Sequence, residues 1–150
     1  MICFFLVVIS IVALDIVTKY LAVICLKSGE IELIKNILYF HYTENRGAAF
    51  GMLANHRWLF ITVTIAVIVA IVVYILRKKP ESNLLKISLA MISGGGIGNL
   101  IDRISLSYVV DFIDFRIIRF PVFNVADIFV TTGAALLFIY IMFFEGKHND

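Results

Sequence analysis

The sequence predicts a mostly α membrane protein, a four-transmembrane-helix bundle with a small extracytoplasmic β-sheet and loops at one face. Three observations predict it. Of the 150 residues, 61% are hydrophobic and 16% charged, with a mean hydropathy of +0.99, whereas soluble domains are about 45–50% apolar. Four apolar stretches, at residues 2–25, 58–76, 84–101 and 126–144, reach or approach the roughly 20 helical residues that cross a hydrocarbon core about 30 Å thick. Between them, β-branched and aromatic residues gather in two of the connecting segments, as strands require.

The first stretch is too long for a signal-peptide core, has no basic leader and is followed by no small-residue cleavage site, so it is expected to remain in the mature protein. The third carries Gly94-Gly95-Gly96 and Gly98, small residues that let one membrane helix lie close against another. No linker, repeat or low-complexity tract interrupts residues 1–150, which are read as one domain.

Helices joined in order alternate in direction. The end of the first, the start of the second, the end of the third and the start of the fourth therefore share one face, with the long connections 26–57 and 102–125. In the first of these, residues 31–42 predict two strands with Asn36 at the turn, and residues 108–113 predict a third in the other. A small sheet at the membrane surface is the expected result.

Lys27, Lys35, Arg46, Arg57, Arg103, Arg116 and Arg119 belong to the long-loop side, and Arg77, Lys78, Lys79, Lys86 and Lys147 to the other. Total charge does not decide orientation, but the dense Arg77-Lys78-Lys79 cluster places the short connection and both termini in the cytoplasm. The net charge of +2, with basic residues otherwise scattered, argues against a nucleic-acid partner. Cys3 and Cys25, inside the first apolar run, read as small hydrophobes.

A charge at the bilayer centre costs about 2.5–3.5 kcal/mol on insertion scales, so ionisable residues within spans are candidates for function. Here Asp15, Lys19, Asp102, Arg103 and Asp127 all fall toward the same face, with Asn45, Arg46 and Asp111 in its loops and Asn99 and Asn124 near its helix ends. Structural readings stand beside the functional ones. Asp15 and Lys19 have the i,i+4 spacing of an intrahelical ion pair, Asp102 and Arg103 can pair with each other, and Asn124 can cap the fourth helix. Asp111 interrupts the apolar run Val109-Val110-Asp111-Phe112-Ile113, and Asp114 is its local competitor; strand alternation puts the two on opposite faces.

Five ordered blocks then carry a resemblance: Asp15-Ile-Val-Thr-Lys19, Asn45-Arg-Gly-Ala-Ala-Phe50, Gly95-Gly-Ile-Gly-Asn-Leu-Ile-Asp-Arg103, Val109-Val-Asp-Phe112 and Phe123-Asn-Val-Ala-Asp127. Along nearly its whole length the chain resembles the lipoprotein signal peptidase (signal peptidase II) family. The resemblance implies an aspartic endopeptidase of the bacterial cytoplasmic membrane that removes signal peptides from prolipoproteins, on the amino side of a diacylglyceryl-modified cysteine. It implies Asp111 and Asp127 as the catalytic pair, in preference to Asp114. Polar support falls on Asn45, Asn99, Arg103 and Asn124, and Asp15, Lys19 and Asp102 are assigned structural support. Many relatives carry Trp before the proline that precedes the last block, where this chain has Phe120-Pro121.

Two carboxyls close together share a proton near neutral pH, which lets one activate water while the other polarises a carbonyl. No Ser-His or Cys-His arrangement competes, since His41, His56 and His148 lie far in sequence from any candidate nucleophile. No His-Glu-x-x-His helix occurs, so neither a metal nor a cofactor is expected. The expected partners are lipid-modified precursors and membrane lipid, with no obligate protein partner. Phe50, Met52, Leu53 and Trp58 are read either as apolar lining of the site or as interfacial belt residues. A small ion-coupled carrier is the rival from another class, and it requires acids deep in several helices and reachable from both sides. A purely structural subunit gives no reason for acids at both 111 and 127.

Overall fold

The computed structural model describes residues 1–47, 52–53, 56–117 and 120–144. Phe50 and the end of its block, Arg119, Lys147 and His148 lie outside the described residues. The element order is α1 (Ile2–Leu26), β1 (Ile31–Ile34), β2 (Leu38–Asn45), α2 (Arg57–Lys78), α3 (Asn83–Ser105), β3 (Val109–Phe115) and α4 (Val125–Phe143). All four helices are long and apolar enough to cross a membrane.

Along α1 the buried positions are Phe4, Val8, Ile11, Asp15, Lys19, Ala22 and Leu26, steps of three or four that make one inward stripe. Asp15 and Lys19 lie on that stripe, so the helix turns its two ionisable residues inward and leaves Leu14, Ile16, Val17 and Tyr20 exposed to lipid. The short connection follows from two local signals. Lys79 ends α2 in the left-handed region at φ 45°, with its N–H on the Ile75 carbonyl, and Pro80 cannot continue a helix. Ser82 then caps α3 by accepting from Leu85 N.

The helix α3 lies at the centre, packed against α1, α2 and α4. Lipid tails are as apolar as leucine, so close van der Waals packing carries much of the association. The glycines of α3 supply that closeness. A Cβ on Gly95 would collide with the Ala126 carbonyl oxygen and come within 2.8 Å of Val130 Cγ2, and one on Gly98 would collide with Asp15 Oδ2. Gly94 lies against Ile11 in the same way, whereas Gly96 has ordinary room beside Thr64 and Ile68.

The sheet has the order β1-β2-β3, antiparallel throughout. Asn36 makes the β1–β2 turn at φ 59°, as expected for a residue that tolerates the left-handed region. Its N–H is held by Glu32 Oε1 at 2.8 Å. One face of the sheet packs on the end of α1 through Val110 and Phe112 against Ala22 and Leu26. At the other end of the bundle, Phe4, Val8, Ile71, Ile75, Leu85, Leu89 and Tyr140 form a separate apolar cluster.

Several elements run beyond the bounds expected. The helix α3 runs on through Asp102 and Arg103 to Ser105, its last turn closed by the Leu106 N–H on the Asp102 carbonyl at 2.7 Å. Strands β2 and β3 continue to Asn45 and Phe115, because they pair with each other over that length.

Candidate active site

Asp111 reaches the bundle through strand register. In the β2–β3 ladder Thr43 stands opposite Asp111 and Asn45 opposite Val109, which makes Asn45 the diagonal neighbour of Asp111 on one face. The Asn45 amide donates to Asp111 Oδ2 at 2.9 Å. Asp114, on the other face, binds exposed Arg116 at 2.7 Å, and this local ion pair separates it from the cavity that Asp111 lines.

Past β3 the chain folds back on itself. Phe123 bonds to Ile113 in both directions, at 2.8 and 3.1 Å, and this return places the start of α4 beside Asp111. Asn124 is the N-cap of α4, with a reciprocal capping box to Asp127. The same side chain donates through Nδ2 to Asp111 Oδ1 at 2.6 Å, so capping and bridging are one arrangement. Asn99 of α3 donates to Asp127 Oδ1 at 2.8 Å and accepts from Asn124 Nδ2 at 3.0 Å.

Asp111 and Asp127 line one cavity of about 480 Å³, together with Asn45, Asn99 and Arg103. Asn124 is fully buried behind them. Asp111 is only 2% exposed, and burial, reinforced by the nearby Asp127 charge, pushes its carboxyl up to about 7 against the pull of the Asn45 and Asn124 hydrogen bonds and of Lys19.

Beneath the cavity lies a buried ionic cluster. Lys19 Nζ is 2.8 Å from Asp15 Oδ2, 3.0 Å from Asp102 Oδ2 and 2.9 Å from Asn99 Oδ1. Asp15 also accepts from the Ala126 N–H at 2.9 Å, and Asp102 from the Val110 N–H at 3.0 Å. Thus the cluster ties α1 and α3 to the residues next to both Asp111 and Asp127. Breaking such a buried pair from one side costs about 3–5 kcal/mol, since the remaining charge is left without a partner.

One expected pairing is corrected. Asp102 and Arg103 do not pair with each other, because consecutive helical residues point in different directions. Asp102 faces Lys19, whereas Arg103 bonds to the carbonyls of Asn99 and Gly47 at 3.3 and 3.4 Å and lies over the Phe60 ring. Met52, Leu53 and Trp58 are exposed and are not among the cavity lining. The apolar wall comes instead from Phe120, Pro121, Val122 and Phe123, with Ile128, Thr131 and Thr132 on α4. Thr131 and Thr132 were discoverable, since they are hydroxyl residues about one helical turn after Asp127 in a mostly apolar span.

The fold and the placement of this polar cavity define a polytopic membrane enzyme. Two solved bacterial membrane enzyme structures, both obtained by the in meso method, superpose on it. One, at 2.3 Å resolution, has a TM-score of 0.88 and 28% identity and covers 100% of this chain and 93% of its own. The other, at 1.9 Å, has a TM-score of 0.86 and 31% identity, with 96% and 95% covered. The chain belongs to the signal peptidase II family of proteases: the family model described as Signal peptidase (SPase) II matches residues 7–143. It is 51% identical over 138 residues to a lipoprotein signal peptidase of Caldanaerobacter subterraneus subsp. tengcongensis, covering 91% of this chain and 92% of that one. It is 43% identical over 150 residues to that of Brevibacillus brevis, with 97% and 98% covered.

Proposed function

We propose that this protein is an aspartic endopeptidase that removes signal peptides from prolipoproteins, cutting on the amino side of a diacylglyceryl-modified cysteine, with Asp111 and Asp127 as its catalytic pair. The observation that carries the reading is that two carboxyls from separate elements line one cavity and are bridged through Asn124.

One carboxylate accepts a proton from a water molecule as the water oxygen bonds to the scissile carbonyl carbon. The protonated partner gives its proton to the carbonyl oxygen, which becomes a hydroxyl. In the collapse of this tetrahedral intermediate the now ionised partner takes a hydroxyl proton as the C=O re-forms and the C–N bond breaks. The carboxyl that took the water proton delivers it to the departing nitrogen, which leaves as the amine. Asn45 and Arg103, on the cavity wall, are donors for the substrate backbone and for developing negative charge. The Phe120–Phe123 wall and Ile128 receive apolar substrate groups.

A lipid-anchored substrate reaches this cavity sideways from the bilayer, as one peptidase unit with the site toward the extracytoplasmic face and both termini in the cytoplasm would require. The pair needs no metal, so chelator is expected to leave the rate unchanged. The deciding experiment is cleavage of a diacylglyceryl-modified precursor by purified wild type, Asp111→Asn and Asp127→Asn. Both variants should fold and lose cleavage. Retained cleavage in either folded variant would remove that residue from the mechanism.

A further inference from the structure

An ammonium group has three donors and no acceptor, and each partner of Lys19 is therefore held to an accepting role. Two are carboxylates, Asp15 and Asp102, and the third is Asn99 Oδ1 at 2.9 Å. Asn124 Nδ2 donates to the same oxygen at 3.0 Å. Turning the Asn99 amide over would set its NH2 group against an ammonium and another NH2 group. Its nitrogen must therefore face the other way, toward Asp127 Oδ1 at 2.8 Å.

The consequence is a direction in the hydrogen-bond chain from Lys19 through Asn99 to Asp127. Asp127 also accepts from the Asn124 N–H at 3.2 Å and sits in the first turn of α4, where the helix dipole favours negative charge. Asp111 is placed differently. It lies in a strand rather than in the first turn of a helix, and it is 2% exposed where Asp127 is only half-buried. Both carboxyls accept from neutral amides among the described residues, so burial and the helix dipole are what distinguish them. The charged groups around the pair are Arg103 of α3 on the cavity wall and the Lys19, Asp15 and Asp102 cluster beneath.

We propose that Lys19, acting through Asn99, sets the polarity of the pair, making Asp127 the acceptor that takes the proton from water and leaving the resting proton on Asp111. This rests on the reading of Asp111 and Asp127 as the catalytic pair. Lys19 is then a positioning residue, with a role beyond balancing the charges of Asp15 and Asp102.

The test uses the full-length protein in micelles at pH 6. In infrared difference spectra, wild type minus Asp111→Asn should contain a protonated-carboxyl C=O band, and wild type minus Asp127→Asn an ionised-carboxylate band. Exchange of the two bands would overturn the proposal. A second arm replaces Lys19 by Met in an Asp15→Asn/Asp102→Asn background, which leaves no unpaired buried charge. Relative to the precursor-cleaving wild type, KM should stay within about twofold while kcat falls at least about tenfold, with weakening of both assigned bands. A folded triple variant with unchanged bands and kcat would show that Lys19 only balances charge.

Should the triple variant not fold, Asn99→Ala breaks the same link with Lys19 in place and is read by the same spectra. Unchanged bands there would equally overturn the proposal. Failure of the underlying catalytic reading looks different, because cleavage would then survive in Asp111→Asn or Asp127→Asn.

Discussion

The Asn124 side chain donates to Asp111 Oδ1 at 2.6 Å while its own oxygen accepts the Asp127 backbone N–H at 2.9 Å. One amide therefore both starts α4 and fixes the distance between strand and helix. The two duties separate by substitution. Serine can cap α4 but is too short to reach Asp111, so Asn124→Ser should keep its thermal stability to within about 1 kcal/mol. Its kcat should fall about ten- to hundredfold, as expected when a fixed donor is lost from a water-poor site. Asn124→Ala should lose both. Calorimetry and cleavage kinetics on the two variants check this, and wild-type kcat in the serine variant would refute it.

Asp111 predicts a pH dependence of stability with a definite sign. Its carboxyl rises from an ordinary value of 3.8 to about 7 on folding. Between those limits the folded protein holds a proton that the unfolded chain has released. Stability therefore declines as pH rises across that window and gains no further slope from this group above it. Thermal unfolding in micelles at several pH values should show the decline in wild type and its flattening in Asp111→Asn. Equal slopes in the two proteins would mean that the Asp111 carboxyl titrates at its ordinary value.

Helices, strands and the Asn36 turn were legible because each depends on local pattern: apolar run length, β-branched content, and one residue suited to positive φ. The gathering of ionisable residues at one end was legible too, since alternation of helix direction needs only helix count. Partner choice was not. Nothing local shows that Asp102 turns toward Lys19 of α1 while Arg103 reaches Gly47, because those distances are set by how far α3 rotates against α1. The wall at Phe120–Phe123 was likewise hidden, as it arises from the return of the chain beside β3. The more apolar neighbours of Asp111 favoured it modestly over Asp114 and the resemblance decided between them, and the ladder register supplies the physical reason.

Close helix approach gives a prediction that separates two glycines. In Gly95→Ala the new methyl meets the Ala126 carbonyl, which is backbone and cannot swing aside. The start of α4 must move, and Asp127 with it. A cost of about 1–3 kcal/mol is expected from overpacking, together with a fall in cleavage beyond that explained by the folded fraction. Gly96→Ala has ordinary van der Waals room and should change neither. Thermal unfolding and kcat for the pair decide it, and equal behaviour of the two variants would contradict the close approach of α3 to α4 at Gly95.

Arg103 ties Gly47, just after β2, to α3: its guanidinium donates to the Gly47 carbonyl and to that of Asn99 in its own helix, and its face lies over Phe60. A lysine keeps the charge but not the planar fork that holds two carbonyls at once. If the charge alone matters to catalysis, Arg103→Lys keeps kcat. If the fork holds Gly47 at the cavity wall, kcat/KM falls, and the loss appears mainly in KM because Gly47 lines the cavity that receives substrate. The structure favours the second outcome, because both carbonyls lie beyond 3 Å and neither offers a full negative charge to a lysine. An increase in KM of about tenfold with kcat within about threefold is expected, since lysine keeps the positive charge that meets developing negative charge, whereas loss of kcat at unchanged KM would show that the planar fork itself acts on the reacting atoms.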